Sequence, residues 1–201
     1  MPGRLLATAA LAAVVALSGC SSSGGKAGAP KNDDFTEGVV TPGAPKTIPW
    51  GQPGEVVGEN GGKLKVTPLG VLYHKGPYKG VDGPENGWFV AIVMRAEAVS
   101  QQDDFLAPAS GGGFRWRGQG QTLWGGEGNA TSAPWVGAVP AFGDPIEPGE
   151  AAVGVETYDA PVKGGRLIYI NQDESIVSWT LPAADTGSGL EKVRKRIKEF
   201  S

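Results

Sequence analysis

The sequence reads as an all-β chain, a sandwich or a barrel, and three observations point there. Between residues 50 and 182 the apolar residues recur mostly with period two, the repeat of a strand with one face buried. These runs are short and separated by Gly and Pro, 33 and 16 of the 201 residues, which supply turn conformations. Helical spacing is confined to the C-terminal end.

The N-terminus reads as a signal. Arg4 precedes a run rich in Leu, Ala and Val from Leu5 to Leu17, then the small residues Ser18 and Gly19, then Cys20, the only cysteine. A positive start, an apolar stretch and small residues at the cut describe a secretory signal peptide. The cysteine makes it a bacterial lipoprotein signal, with Leu17, Ser18 and Gly19 as the lipobox. Cys20 is then the lipidation site: it takes a diacylglyceryl group and becomes the first residue of the mature chain. As a helix the apolar run would span about 20 Å at 1.5 Å per residue, short of the ~30 Å hydrocarbon core. Two acyl chains suffice for stable anchoring. The expected location is therefore the extracytoplasmic face of the cell membrane. No other run of 18 apolar residues occurs.

Residues 1–19 are thus read as signal peptide and 20–49 as lipidated Cys and flexible tether. The tether is rich in Ser, Gly, Lys, Pro and Asp, with Phe35 almost its only large apolar side chain. It cannot bury enough surface to offset the entropy of ordering. A flexible chain of this length has an end-to-end distance of about 30 Å.

Residues 50–182 are the expected folded domain. Leu64 and Val66 alternate with Lys63, Lys65 and Thr67, and after Pro68 the phase moves to Leu69, Val71 and Tyr73, which predicts a bulge or break at the proline. Trp88 to Met94 is apolar on both faces, as a central strand should be. Phe114 and Trp116 alternate with Arg115 and Arg117, which points Trp116 inward. Glu147-Pro148-Gly149-Glu150 carries the Pro-Gly pair of a type II turn. Ala151, Val153, Val155 and Thr157 then alternate with Gly154 and Glu156. Two apolar runs, Leu167 to Ile170 and Ile176 to Leu181, flank Asn171 to Ser175 as a hairpin. Residues 183–201 read as a linker and a short basic amphipathic helix. Ser188-Gly189-Leu190-Glu191 fits a capping box, and Leu190, Val193, Ile197 and Phe200 follow helical spacing.

Charge narrows the partners. The chain has 18 basic and 21 acidic residues. Five of the basic residues lie in 191–201 beside two acidic ones, which leaves residues 20–190 at −7. An acidic body excludes nucleic acid as the expected partner. With Cys20 lipidated no thiol remains for a disulfide, so packing alone must hold the fold.

Several of these segments resemble one family. Gly54-Glu55-Val56-Val57 and Leu64-Lys65-Val66-Thr67 resemble the opening strands of the telokin-like, immunoglobulin-like domain of Gram-positive bacterial lipoproteins. Gly87 to Met94 is similar to its central strand. Ile146 to Glu150, Val153 to Glu156 and Asp159-Ala160-Pro161 resemble its Pro-Gly turn, strand and closing proline, and Leu167 to Ile170 with Trp179-Thr180-Leu181 its last hairpin. The chain departs from the family at Ala98-Val99-Ser100, where members often carry Asn and a small polar residue, and in its Gly- and Trp-rich residues 107–145. The resemblance implies an immunoglobulin-like antiparallel β-sandwich at the cell surface. It implies no substrate, because the family is largely uncharacterised.

Catalytic groups are sparse. His74 is the only histidine, and nothing around it singles out a serine for a triad; it reads as a strand-end residue. One His and no free thiol do not make a zinc site. Asp103-Asp104 lacks calcium-loop spacing and reads as a solvated turn. The glycines at 111–113, 118, 120, 125, 126 and 128 lack a phosphate-loop context and read as turn residues. Asn129-Ala130-Thr131 reads as a chance sequon. The candidate binding residues are Trp124 and Trp135, aromatics on a Gly-rich segment that could stack on a sugar or anchor a partner; burial in the core is the competing reading.

The functional expectation is a lipid-anchored extracytoplasmic binding module of the cell envelope, not an enzyme, with no cofactor and no metal. Its partners would be the membrane, through the diacylglyceryl anchor, and an unknown envelope protein or polymer. One alternative is an envelope hydrolase using Glu147, Glu150 or Glu156, which needs two carboxylates set across a cleft. Another is a small-ligand carrier accessory to a transporter, for which the domain leaves little room for a hinged cleft.

Overall fold

The computed structural model describes residues 46–100, 104, 106 and 112–201. Cys20, the lipobox residues Leu17, Ser18 and Gly19, and the tether as far as residue 45 lie outside the described residues. In chain order the strands are β1 (Lys46–Ile48), β2 (Gly54–Val57), β3 (Lys63–His74), β4 (Trp88–Ala98), β5 (Gly113–Gly118), β6 (Gln121–Leu123), β7 (Ala151–Ala160), β8 (Arg166–Ile170), β9 (Ile176–Thr180) and β10 (Thr186–Gly187), followed by helix α1 (Glu191–Phe200). A 3-10 turn, Ala130–Ser132, lies between β6 and β7.

The strands form two sheets. The first has the order β1-β9-β8-β5-β6; the second has the order β10-β3-β4-β7, with β2 also paired to β3. All pairings are antiparallel except β1 with β9. The fold is mostly β with one short C-terminal helix, consistent with an all-β sandwich.

Strand β4 shows why. Val90, Ile92, Met94 and Ala96 enter a cluster shared with Trp116, Leu167, Tyr169 and Trp179 of the other sheet. Phe89, Ala91 and Val93 point the opposite way, into a second cluster with Leu190, Val193 and Ile197. A strand covered on both faces must be apolar at every position, as Trp88 to Met94 is. The helix thus lays its apolar stripe on the outer face of the second sheet. The first sheet has no such cover among the described elements.

Local features follow the sequence closely. The β3–β4 register slips between Pro68 and Gly70. The Glu150 N–H donates to the Glu147 carbonyl at 2.9 Å, with Gly149 at φ +80°. The β8–β9 hairpin closes through Asn171 N–H to the Ser175 carbonyl at 2.9 Å.

Four readings change. Strand β1 lies inside the stretch read as tether. Strand β10 lies inside the expected linker, where Thr186 and Gly187 pair with Val71 and Gly70. The capping box does not form: the N-cap is Leu190, with no side-chain cap, because the Ser188 N–H is drawn to the Leu69 carbonyl at the sheet edge, at 2.9 Å. On β7 the residues that enter the inter-sheet cluster are Tyr158 and Ala160, whereas Val153 is exposed. The apolar alternation there marks the outer face, which is covered at Val155 and Thr157 and open at Ala151 and Val153.

Candidate functional site

Trp124 and Trp135 part company in the structure. Trp135 is 1% exposed. Its ring meets Phe89 edge-on at 6.1 Å, and its indole N–H donates to the Thr157 hydroxyl at 2.9 Å. Both the apolar body and the polar tip are used internally, and what Trp135 shows to solvent is confined to the wall of a small concavity. Trp124 is 49% exposed.

The β5–β6 hairpin determines what Trp124 touches. Gln119 and Gly120 at its tip both have positive φ, 48° and 77°, the geometry of a tight hairpin turn. Trp116 pairs with Leu123, so Arg115 and Trp124 fall beside one another on the opposite face of the hairpin. The Arg115 guanidinium lies 3.3 Å from the centre of the Trp124 ring. It also donates to the carbonyls of Phe114 and Gly112 at 2.6 and 2.8 Å and is only 5% exposed. A desolvated guanidinium on an indole face is worth roughly 2 kcal/mol. The cation therefore braces one face of the ring.

Glu156 completes the arrangement. A concavity of about 200 Å³ is lined by Arg115, Trp124, Gly125 and Glu156. A second, of about 150 Å³, shares Gly125 and Glu156 and is walled by Trp135. A Cβ at Gly125 would stand 3.2 Å from a Glu156 carboxylate oxygen, a tight contact. Burial pushes the Glu156 carboxyl up to about 7, opposed by Arg115. Burial also lowers the Arg115 guanidinium, opposed by Tyr158, Glu127 and Glu156. Tyr158 is fully buried, and its hydroxyl, held far above the ordinary tyrosine range by burial and then by Glu156, has no hydrogen-bond partner among the described residues. Near neutral pH Glu156 exchanges between hydrogen-bond donor and acceptor beside an aromatic platform.

The remaining candidates are structural. His74 Nδ1 receives the Gly76 N–H at 3.0 Å and lies 2.6 Å from the Tyr78 hydroxyl; burial lowers its pKa. Asp104 is not in a solvated turn. It is buried and its carboxylate accepts the N–H groups of Asn60, at 2.7 Å, and Gly62. Its neighbour Asp103 lies outside the described residues. Asn129 is tied down by its side chain to the Gly83 carbonyl at 2.9 Å and by its N–H to Asp159. Of the three glutamates considered for hydrolysis, Glu147 and Glu150 are exposed on the turn before β7, and only Glu156 lines a concavity.

Sequence reasoning missed Arg115 as the partner of Trp124. The available signal was Arg115-Trp116-Arg117, an arginine on each side of an inward tryptophan. Comparison of the chain with protein-family models, with curated proteins and with solved structures finds no match.

Proposed function

We propose that this chain is a lipid-anchored extracytoplasmic binding module of the bacterial cell envelope, a non-catalytic sandwich of the immunoglobulin-like type tethered through Cys20. The anchor rests on the lipobox and the fold type on the resemblance of residues 54–181. The binding reading rests on one observation: the half-exposed Trp124 ring, braced by Arg115 at 3.3 Å beside a concavity. Pre-ordered aromatics of this kind give up little entropy when a partner covers them. The hydrolase alternative lacks a second carboxylate opposite Glu156 among the described residues lining the concavities.

The test is photo-cross-linking on intact cells from position 124, with position 153 as control, since Val153 is equally exposed on the other sheet. A discrete adduct from 124 and not from 153 is expected, together with a mature N-terminal peptide carrying diacylglyceryl on Cys20. Identical adduct patterns from the two positions would remove Trp124 as the contact. An unmodified Cys20 would remove the anchor.

A further inference from the structure

The outer face of the first sheet carries an unusual charge pattern. Phe114, Trp116, Leu167, Tyr169, Val177 and Trp179 point into the core, so their neighbours along β5, β8 and β9 point outward. Those outward positions hold Arg115, Arg117 and Arg166 and no Asp or Glu. Arg115 turns its guanidinium to the Trp124 ring beside Glu156, which leaves Arg117 and Arg166 on this face of a body whose residues 20–190 sum to −7.

Two of the arginines oppose one another. Arg117 and Arg166 are direct cross-strand partners in the β5–β8 pairing. Like charges at such positions destabilise a sheet. The side chains of both are exposed, and neither has an acidic partner among the described residues, whose ion pairs all lie elsewhere. Beside them a concavity of about 370 Å³ opens, floored by Ile168, Ile176 and Ser178. The Ser178 hydroxyl is already engaged with Thr47 at 3.2 Å. Glycine shapes the rim: Gly165 has φ +88°, and a Cβ there would stand 2.7 Å from the Arg117 carbonyl oxygen. Space is thus kept next to two cations that the protein leaves without a counter-charge.

We propose that this cleft binds a phosphate ester, held between the guanidiniums of Arg117 and Arg166 with its organic portion on Ile176. The choice of anion follows from geometry. Each guanidinium presents a planar fork of donors. A carboxylate offers two oxygens in one plane, whereas a tetrahedral phosphate monoester offers three oxygens that can face two forks set at an angle to one another. The proposal stands on the arginine pair and does not depend on Trp124.

A phosphate ester could be a soluble molecule or a lipid headgroup, and the test separates them. The full chain carrying Cys20→Ala, which removes any acyl anchor, is unfolded thermally in sn-glycerol 3-phosphate and in sodium chloride of equal ionic strength. It is also sedimented with vesicles of phosphatidylglycerol and of phosphatidylcholine. The expected result is a higher midpoint in glycerol phosphate than in chloride. Arg117→Gln and Arg166→Gln should each weaken binding about tenfold or more, the loss of a charge-assisted pair, while leaving the ligand-free midpoint unchanged or raised, because the repulsion is relieved. Glycerol phosphate binding without sedimentation assigns a soluble ligand. Sedimentation with phosphatidylglycerol alone, lost in the double variant, assigns a lipid headgroup. Equal midpoints with no sedimentation overturn the proposal, as does binding that survives both substitutions at full strength.

Discussion

Glu156 couples protonation to folding. Its carboxyl titrates at about 7 in the folded chain and near its ordinary 4.5 when unfolded. Between those values the folded state holds a proton that the unfolded state has released, so stability falls as pH rises. The loss begins near pH 4.5 and is complete a little above pH 7. A shift of that size corresponds to on the order of 3 kcal/mol, with Arg115 limiting it. Urea unfolding at a series of pH values should show the decline in the wild type and a flatter profile in Glu156→Gln. Parallel profiles would mean that the carboxyl is not buried in the way described.

At the scale of elements, helix α1 holds through three side chains. Leu190 and Val193 are fully buried and Ile197 nearly so, against Leu72, Phe89 and Val93. A ten-residue helix has little stability by itself, so its order depends on this contact. Leu190→Ala should cost about 3 kcal/mol, measured by chemical unfolding, and amide exchange in 191–200 should accelerate. The helix was legible because its spacing survives in four residues, and β4 was legible because two-sided burial leaves no polar position. Other elements leave no such trace. Strand β10 is two residues, Thr186 and Gly187, held by backbone alone. Strand β1 is Lys46-Thr47-Ile48, one apolar residue in three, and it exists because β9 offers a free edge. The Arg115–Trp124 contact depends on the register of a hairpin whose second strand is three residues long. Alternation cannot reveal register. On β7 the alternating set faces the second cluster, at Val155 and Thr157, while Gly154 and Glu156 occupy positions facing the other sheet. Glycine fits at 154 because a Cβ there would press on the Phe142 ring.

For the molecule as a whole, cohesion comes from two apolar clusters on either side of the second sheet, bounded by buried carboxylates that hold the loops. Asp159 accepts the N–H groups of Glu85, Asn86 and Asn129 at 2.7 to 2.9 Å, and Asp104 does the same for the β2–β3 turn. With Cys20 the sole cysteine, no intrachain disulfide contributes. The thermal midpoint should therefore be the same with and without reductant by scanning calorimetry, and a drop on reduction would expose a covalent contribution between chains.

Strand β1 also has a mechanical meaning. It is the first described element, and it runs parallel to β9, joined by three residue pairs with Ile48 opposite Trp179. Tension entering at Lys46 would act on this strand. A pull along β1 loads its hydrogen bonds to β9 together, in shear, and does not open them one at a time. The edge of the arginine-bearing sheet would thus act as the load-bearing seam of the domain. Ile48, buried between the sheets, would be the residue that resists its slipping.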